Sequence, residues 1–289
     1  MANAHIDKIE QAAREMRLIQ ADMSRCFACY IGSSLSATDI VATLYFSVMN
    51  VDSSRPDDPQ RDMFIMSKGH GCPALYAALH LRGYIDKQEL LDHSTVKSPV
   101  YYHPNGKLPG VELSTGSLGH GLNFSLGTAL AQRIDGYASR TFVLLGDGEL
   151  NEGSNWEAIM RAPSLGLGNL VAIVDANGRQ ANSRTEDLVP LGDIEAKWKA
   201  FNWRTRVVDG HSLEQLHEVL SIPDTSQDKP LVVIAKTIRG KGISFLEDRK
   251  EAWLWQLNDD EYARAIGELR GDAVAPDEPF AVRPGGSVE

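Results

Sequence analysis

The sequence predicts an α/β fold, a parallel sheet flanked by helices, on three observations. Four short apolar runs of strand formers, at residues 63–66, 141–145, 170–174 and 231–235, have the length and continuity of strands buried on both faces. Helix-forming segments alternate with them, as the crossovers of a parallel sheet require. Two of the runs end in glycine-bearing polar clusters that lead into helices. These are Ser67-Lys68-Gly69-His70 and the stretch Gly146-Asp147-Gly148-Glu149-Leu150-Asn151-Glu152-Gly153. Such junctions form the carboxyl edge of the sheet, where open α/β folds bind ligands.

In chain order, Ile6, Ile9, Ala13, Met16, Ile19 and Met23 recur at spacings of three and four, which makes the first element an amphipathic helix. Residues 32–36 read as a turn. Ser36 to Asp39 then opens, as a capping-box-like start, an apolar helix over 40–46. Residues 51–61 are a polar, proline-bearing loop. After the strand at 63–66, a helix runs from about Pro73 to Leu81. Tyr101 to Gly121 lacks periodicity and is rich in glycine before a helix over 122–132, which implies close backbone approach to something. A helix over 155–162 joins the strands at 141–145 and 170–174, completing a βαβ unit. Residues 182–187 are a polar loop, and 191–201 a helix whose Trp198 packs inward. A strand over 205–208, a helix over 211–222 and the strand 231–235 follow, with His211 as a turn and cap residue. Residues 1–270 form one domain, and 271–289 a flexible or partner-strapping tail.

Composition bounds the function. With 43% hydrophobic and 24% charged residues, the chain reads as an ordinary globular protein. A net charge of -10 argues against nucleic acid as a partner, since phosphate backbones want a basic face. No apolar run is expected to reach the roughly 20 residues that span a bilayer, no membrane association is expected, and the amphipathic N-terminus lacks signal-peptide order. The expected location is the cytoplasm. Three cysteines give no disulfide framework, and Cys26-x-x-Cys29 lacks a second ligand pair, so they read as buried small residues.

The chemistry concentrates at the strand ends. Asp147 and Asn177 follow neighbouring strands and offer hard oxygen ligands suited to Mg²⁺ or Ca²⁺. Glycines there let backbone N–H groups approach a diphosphate at a helix N-terminus. A lone Gly-Asp-Gly would be only a capped strand–turn–helix; the Asn at this spacing favours a metal–diphosphate site. Lys68 and His70 suit a phosphate-bearing ligand, one as a point charge and the other as a hydrogen-bond donor. For His103, spacing leaves a loop role and a site role both open.

These stretches resemble the transketolase family of thiamine-diphosphate enzymes. The resemblance runs from about residue 8 to 262 and is strongest at residues 67–70, 103–104, 110–119, 146–153, 177–179 and 236–242. It implies the thiamine-diphosphate-binding fold of the diphosphate-binding type. It also implies that Asp147, the Asn177 side chain and the Arg179 carbonyl hold Mg²⁺ (or Ca²⁺), bridging to the diphosphate, with Gly146, Gly148 and Glu149 beside it. His70 matches a histidine near the diphosphate, and His103 one facing the thiazolium and the donor hydroxyls. Gly116, Ser117 and Leu118 would line the pyrimidine. Lys68 and Arg239 match positions that are basic in some members and face the diphosphate. Glu152 matches a dimer-interface glutamate that couples active sites.

In this family the glutamate that activates the pyrimidine, an aromatic clamp and much of the substrate-phosphate pocket lie in a second, homologous domain. None follows here, so the resemblance implies one subunit of a two-chain enzyme. A C-terminal pyrimidine-binding subunit completes the active sites, and symmetry suggests α2β2. The implied reaction transfers a two-carbon ketol unit from a ketose donor to an acceptor. The chain departs from the family twice. Cys29-Tyr30-Ile31 stands where Gly-His-Pro or Gly-His-Ile is usual, and Trp253-Leu254-Trp255 where Trp-His-Gly is usual. Tyr30 retains a hydroxyl that can hydrogen-bond; Leu254 does not. Two alternatives follow: transfer to a carrier-protein thiol or dithiolane in specialised metabolism, and a cofactor-binding subunit without turnover.

Overall fold

The computed structural model describes residues 2–221 and 228–272, so the expected tail beyond 272 lies outside the described residues. Its elements run α1 (Ala2–Cys26), α2 (Ile31–Thr43) continued by a π-helical turn (Leu44–Val48), β1 (Met63–Met66), α3 (Cys72–Leu81), α4 (Lys87–Leu91) and α5 (Gly121–Ile134). There follow β2 (Thr141–Gly146), α6 (Gly153–Ser164), β3 (Leu170–Ala176), β4 (Arg179–Gln180), β5 (Ser183–Arg184), α7 (Thr185–Leu188) and α8 (Ile194–Ala200). The last are β6 (Arg204–Asp209), α9 (Leu213–Leu220), β7 (Leu231–Lys236) and α10 (Asp259–Arg270).

Five strands form one wholly parallel sheet in the order β1-β2-β3-β7-β6. Alternation of side chains sorts each strand between two cores. Phe64, Phe142, Leu144, Ile173 and Val233 pack on one face with α1, α2, α3 and α9. Ile65, Val143, Leu145, Ala172 and Ile234 pack on the other with α5, α6 and Trp198 of α8. The crossover from β2 to β3 advances along the sheet, whereas that from β6 to β7 runs back. With right-handed crossovers, α6 and α9 therefore lie on opposite faces. The chain segments leaving β3 and β7 lie side by side at the carboxyl edge, and it is there that the polar clusters gather. A third core joins α10 and residues 243–257 to α1 and α2.

Several elements differ from the sequence expectation. Helix α2 begins at Ile31 and is buried throughout, with no capping box at Ser36. Ser34, Ser36 and Thr38 donate to carbonyls three or four residues back, which satisfies their hydroxyls inside a helix and removes their pull toward a turn. Residues 31–48 thus form a helical stretch long and apolar enough to cross a bilayer by length and composition, correcting the expectation that no run would be. That stretch is 83% buried within the fold. The loop expected at 182–187 instead holds β5, which pairs with β4 in a hairpin, and most of the single turn α7. Cys26 is exposed rather than buried, while Cys29 and Cys72 are buried and all three are free. His211 does not cap α9, a role taken by Ser212.

A candidate cofactor site at the carboxyl edge of the sheet

Strand register places Gly146 of β2 beside Asp175 of β3, so Asp147 emerges next to Asn177. The Asp147 carboxylate accepts the Gly148 N–H (2.8 Å) and the Gly178 N–H (2.7 Å), stitching the two strand ends together. Asn177 Oδ1 accepts the Arg179 N–H at 3.0 Å, and its Nδ2 donates to Ser36 Oγ at 3.2 Å. Burial, and then the neighbouring Asp175 carboxylate, push Asp147 up to about 6. A cation bridging these oxygens relieves that cost. Among the described residues no three His, Cys, Asp or Glu side chains cluster as metal ligands. A divalent ion here would therefore lean on a carbonyl and on ligand phosphate oxygens, which suits Mg²⁺.

Glu149 is buried and its carboxylate is consumed within the chain. It accepts from Ser67 Oγ, the Gly119 N–H (3.0 Å) and the Gly146 N–H (3.1 Å). It thereby pins the glycine loop to the ends of β1 and β2, a strut rather than a free ligand in this structure. Lys68 is likewise buried, with Nζ on the Asp175 carboxylate and on the Ser33 carbonyl (3.0 Å). Asp175 also accepts from Ser36 and Thr237, so one carboxylate joins β3 to β1, α2 and the end of β7.

Arg239 fits a diphosphate on different grounds. Only 1% of it is exposed, yet its Nε and Nη2 have no hydrogen-bond partner. Its Nη1 donates to the Ala181 carbonyl of the β4–β5 hairpin, and its guanidinium lies 5.2 Å from the centre of the Trp253 ring. Burial, and then the Arg179 charge, lower it to about 10. A buried guanidinium with unspent donors is a ready partner for an anion. Arg179 itself is engaged by Asp248 through Nε at 2.8 Å.

His70 and His103 face one another across an aromatic cluster. Tyr30 lies 5.6 Å from His103, 6.1 Å from His70 and 4.9 Å from Trp253 between ring centres, and His70 lies 4.7 Å from Trp253. Burial, reinforced by Lys68, holds His70 well below the ordinary histidine range, and burial lowers His103. Both rings are therefore neutral at neutral pH. The glycine loop approaches closely: a Cβ on Gly69 would come within 2.9 Å of Thr115 Oγ1 and 3.1 Å of the His103 ring. Gly116 and Ser117 are exposed and Leu118 half-buried on that loop. Glu152 is exposed after the turn at 148–151. Leu254 is 41% exposed, and the bridge between Cys29 and Trp255 sets the two family departures beside each other in the fold.

The fold brings Tyr30, Lys68, His70, His103, Asp147, Asn177, Arg179 and Arg239 together at one edge of the sheet. Sequence reasoning missed Trp253 as the wall of the site, and Asp175, Ser36 and Thr237 as the buried support beneath it. Asp175, two positions before Asn177 at the end of a buried strand, was the legible signal for that support.

The family model described as "Transketolase, thiamine diphosphate binding domain" matches residues 9–285. The chain is 36% identical to the 6-deoxy-6-sulfo-D-fructose transketolase subunit of a Clostridium species, covering 95% of this chain and 100% of that protein. It is 37% identical to an apulose-4-phosphate transketolase subunit of Actinobacillus succinogenes, covering 93% of this chain and 99% of that protein. Among solved structures, the transketolase from Leishmania mexicana superposes with a TM-score of 0.84 at 28% identity, over 91% of this chain. The chain spans only 41% of that structure's length. The chain belongs to the transketolase family of transferases, and its strand-end site lies in that family's thiamine-diphosphate-binding domain.

Proposed function

We propose that this chain is the cofactor-binding subunit of a two-chain transketolase-like enzyme that moves a two-carbon ketol unit from a ketose donor to an acceptor. The observation that carries it is the placing of the Asp147 and Asn177 oxygens and the unpartnered Nε and Nη2 of Arg239 at one sheet edge. One end of that arrangement suits a divalent cation and the other a diphosphate. Asp147, Asn177 and the Arg179 carbonyl would hold Mg²⁺ (or Ca²⁺), and Arg239 would meet phosphate oxygens.

When bound, thiamine diphosphate supplies the electron sink that stores the donor carbanion. His103, neutral and with its ring unengaged by hydrogen bonds among the described residues, orients the donor hydroxyls and exchanges a proton with them. Trp253 and Tyr30 wall the site, exclude water and narrow it against His70. The catalytic glutamate comes from a pyrimidine-binding partner subunit in an α2β2 assembly. This reading is supported by the two relatives that the chain spans nearly end to end, each named as one subunit of its enzyme. Their names also specify ketoses, which supports a ketose-type donor. The site is completed at Glu152, which the partner or a second copy would cover.

The test is reconstitution of the full-length chain with the second subunit, thiamine diphosphate, Mg²⁺ and a panel of ketoses. Saturable cofactor binding and ketol transfer by the mixture, with neither chain active alone, is the expected result. Absence of cofactor binding by the assembled pair overturns the reading.

A further inference from the structure

We propose that His211 and Asp39 are positioning residues for the diphosphate end of the cofactor, acting through the loop that carries Arg239. The inference rests on the function proposed above. The Asp39 carboxylate accepts Arg17 Nη1 on Oδ1 at 2.9 Å and Nη2 on Oδ2 at 2.7 Å, and His211 Nδ1 meets Oδ2 at 2.8 Å. The far side of each partner grips the same loop after β7. His211 Nε2 accepts the Ile238 N–H at 2.8 Å, and Arg17 Nε donates to the Lys241 carbonyl at 3.2 Å. Because Nε2 accepts the Ile238 N–H, Nδ1 carries the proton that faces Asp39.

Arg239 and Gly240 lie between these two anchors. A third anchor comes from α2, where the Gly32 carbonyl accepts the Gly240 N–H at 2.9 Å. Gly240 has φ +80, and a Cβ there would strike the Leu246 carbonyl oxygen at 2.2 Å, so only glycine lets the loop take this path. The network has no part in the chemistry and does not reach the unpartnered Nε and Nη2 of Arg239. Its effect is to hold the backbone that presents them. A loop fixed before binding loses less freedom when an anion arrives, and a support one layer out sets ligand geometry.

A purely structural turn would also need Asp39 and His211, so the test is a double-mutant cycle. The full-length chain, assembled with its second subunit, is titrated with thiamine diphosphate and Mg²⁺. Tryptophan fluorescence reports binding, since Trp253 lies against Arg239, and ligand-free melting of each variant reports folding. The expected result is that His211→Ala weakens cofactor binding about tenfold. In an Arg239→Met background the same change should alter affinity less than about twofold, because the two act through one contact. His211→Asn keeps an amide for Asp39 but does not reach Ile238, and should behave as His211→Ala if the alanine variant is too unstable to assemble. Equal losses in both backgrounds overturn the inference and leave the function reading intact. A wild-type assembly that binds no thiamine diphosphate overturns the function reading itself.

Discussion

The ammonium of Lys68 is buried on the carboxylate of Asp175, bridging the ends of β1 and β3 directly beneath the candidate cofactor site. Neither side chain reaches solvent, with 1% and 0% of each exposed. Breaking such a pair leaves a charge without compensation, so Lys68→Met should destabilise the chain by about 3–5 kcal/mol. Lys68→Met with Asp175→Leu should recover part of the loss. Urea unfolding of the four variants checks this, and a single-mutant cost under about 1 kcal/mol would show the pair to be idle.

Asp147→Ala removes the one carboxylate offered to a divalent ion and unties Gly178 from the end of β2. Mg²⁺-dependent affinity for thiamine diphosphate should fall well beyond the roughly tenfold typical of supporting residues. Calorimetric titration of the assembled enzyme at saturating Mg²⁺ measures it.

Arg239 sets affinity against stability. Its buried guanidinium leaves two nitrogens unpartnered, so Arg239→Met should leave ligand-free stability unchanged or raise it by about 1 kcal/mol. Cofactor affinity should drop, and the remaining affinity should depend less on salt, since one charge–phosphate contact has gone. A melting temperature that falls together with unchanged affinity would contradict this.

Asp39 gives a pH signature. Burial alone would raise its carboxyl, but Arg17 and His211 outweigh burial and hold it below the ordinary carboxylate range. A depressed folded value means stability that is present above the unfolded value, about 3.9, and lost as pH falls through the folded one. The stability difference between the wild type and Asp39→Asn should be full at neutral pH and shrink below about pH 4. Denaturant midpoints across that range test the sign.

Tyr30 and Leu254 occupy the two positions at which the family resemblance implies histidine. With Tyr30 5.6 Å from His103, the double substitution Tyr30→His, Leu254→His replaces one hydroxyl with an imidazole and places a second imidazole at position 254. Transfer from ordinary ketose phosphates should rise, by up to about tenfold if one hydrogen bond is gained at position 254. An unchanged substrate profile in steady-state assays would remove these positions from specificity.

Much of the fold was legible because its signals are local. The strands β1, β2, β3 and β7 announce themselves as continuous apolar runs, since a sheet covered on both faces has no polar side to encode. The βαβ unit around Asp147 follows from glycine and helix chemistry within forty residues. The start of α2 was not legible: Ser34, Ser36 and Thr38 read as turn formers until their hydroxyls are seen bonded to the helix's own carbonyls in a buried setting. Nor did α10 show itself, although Asn258 and Glu261 form a capping box and Gly271 closes it at φ +80.

What the sequence determined alone is the architecture and the ligand-bearing strand ends, because period, turn chemistry and motif spacing act over short stretches of chain. What only the tertiary structure decided is which charges are spent and which are free. Lys68 and Arg239 are both basic residues that follow buried strands, yet Lys68 is neutralised by Asp175 while Arg239 keeps two unpartnered nitrogens. The difference is set by a carboxylate 107 positions away in one case and, among the described residues, by the lack of an ion-pair partner in the other. Trp253 reaches the site, and His211 and Asp39 reach the loop beside it, by the same long-range packing. Burial multiplies the value of each pairing made or left unmade, and burial is a property of the folded chain.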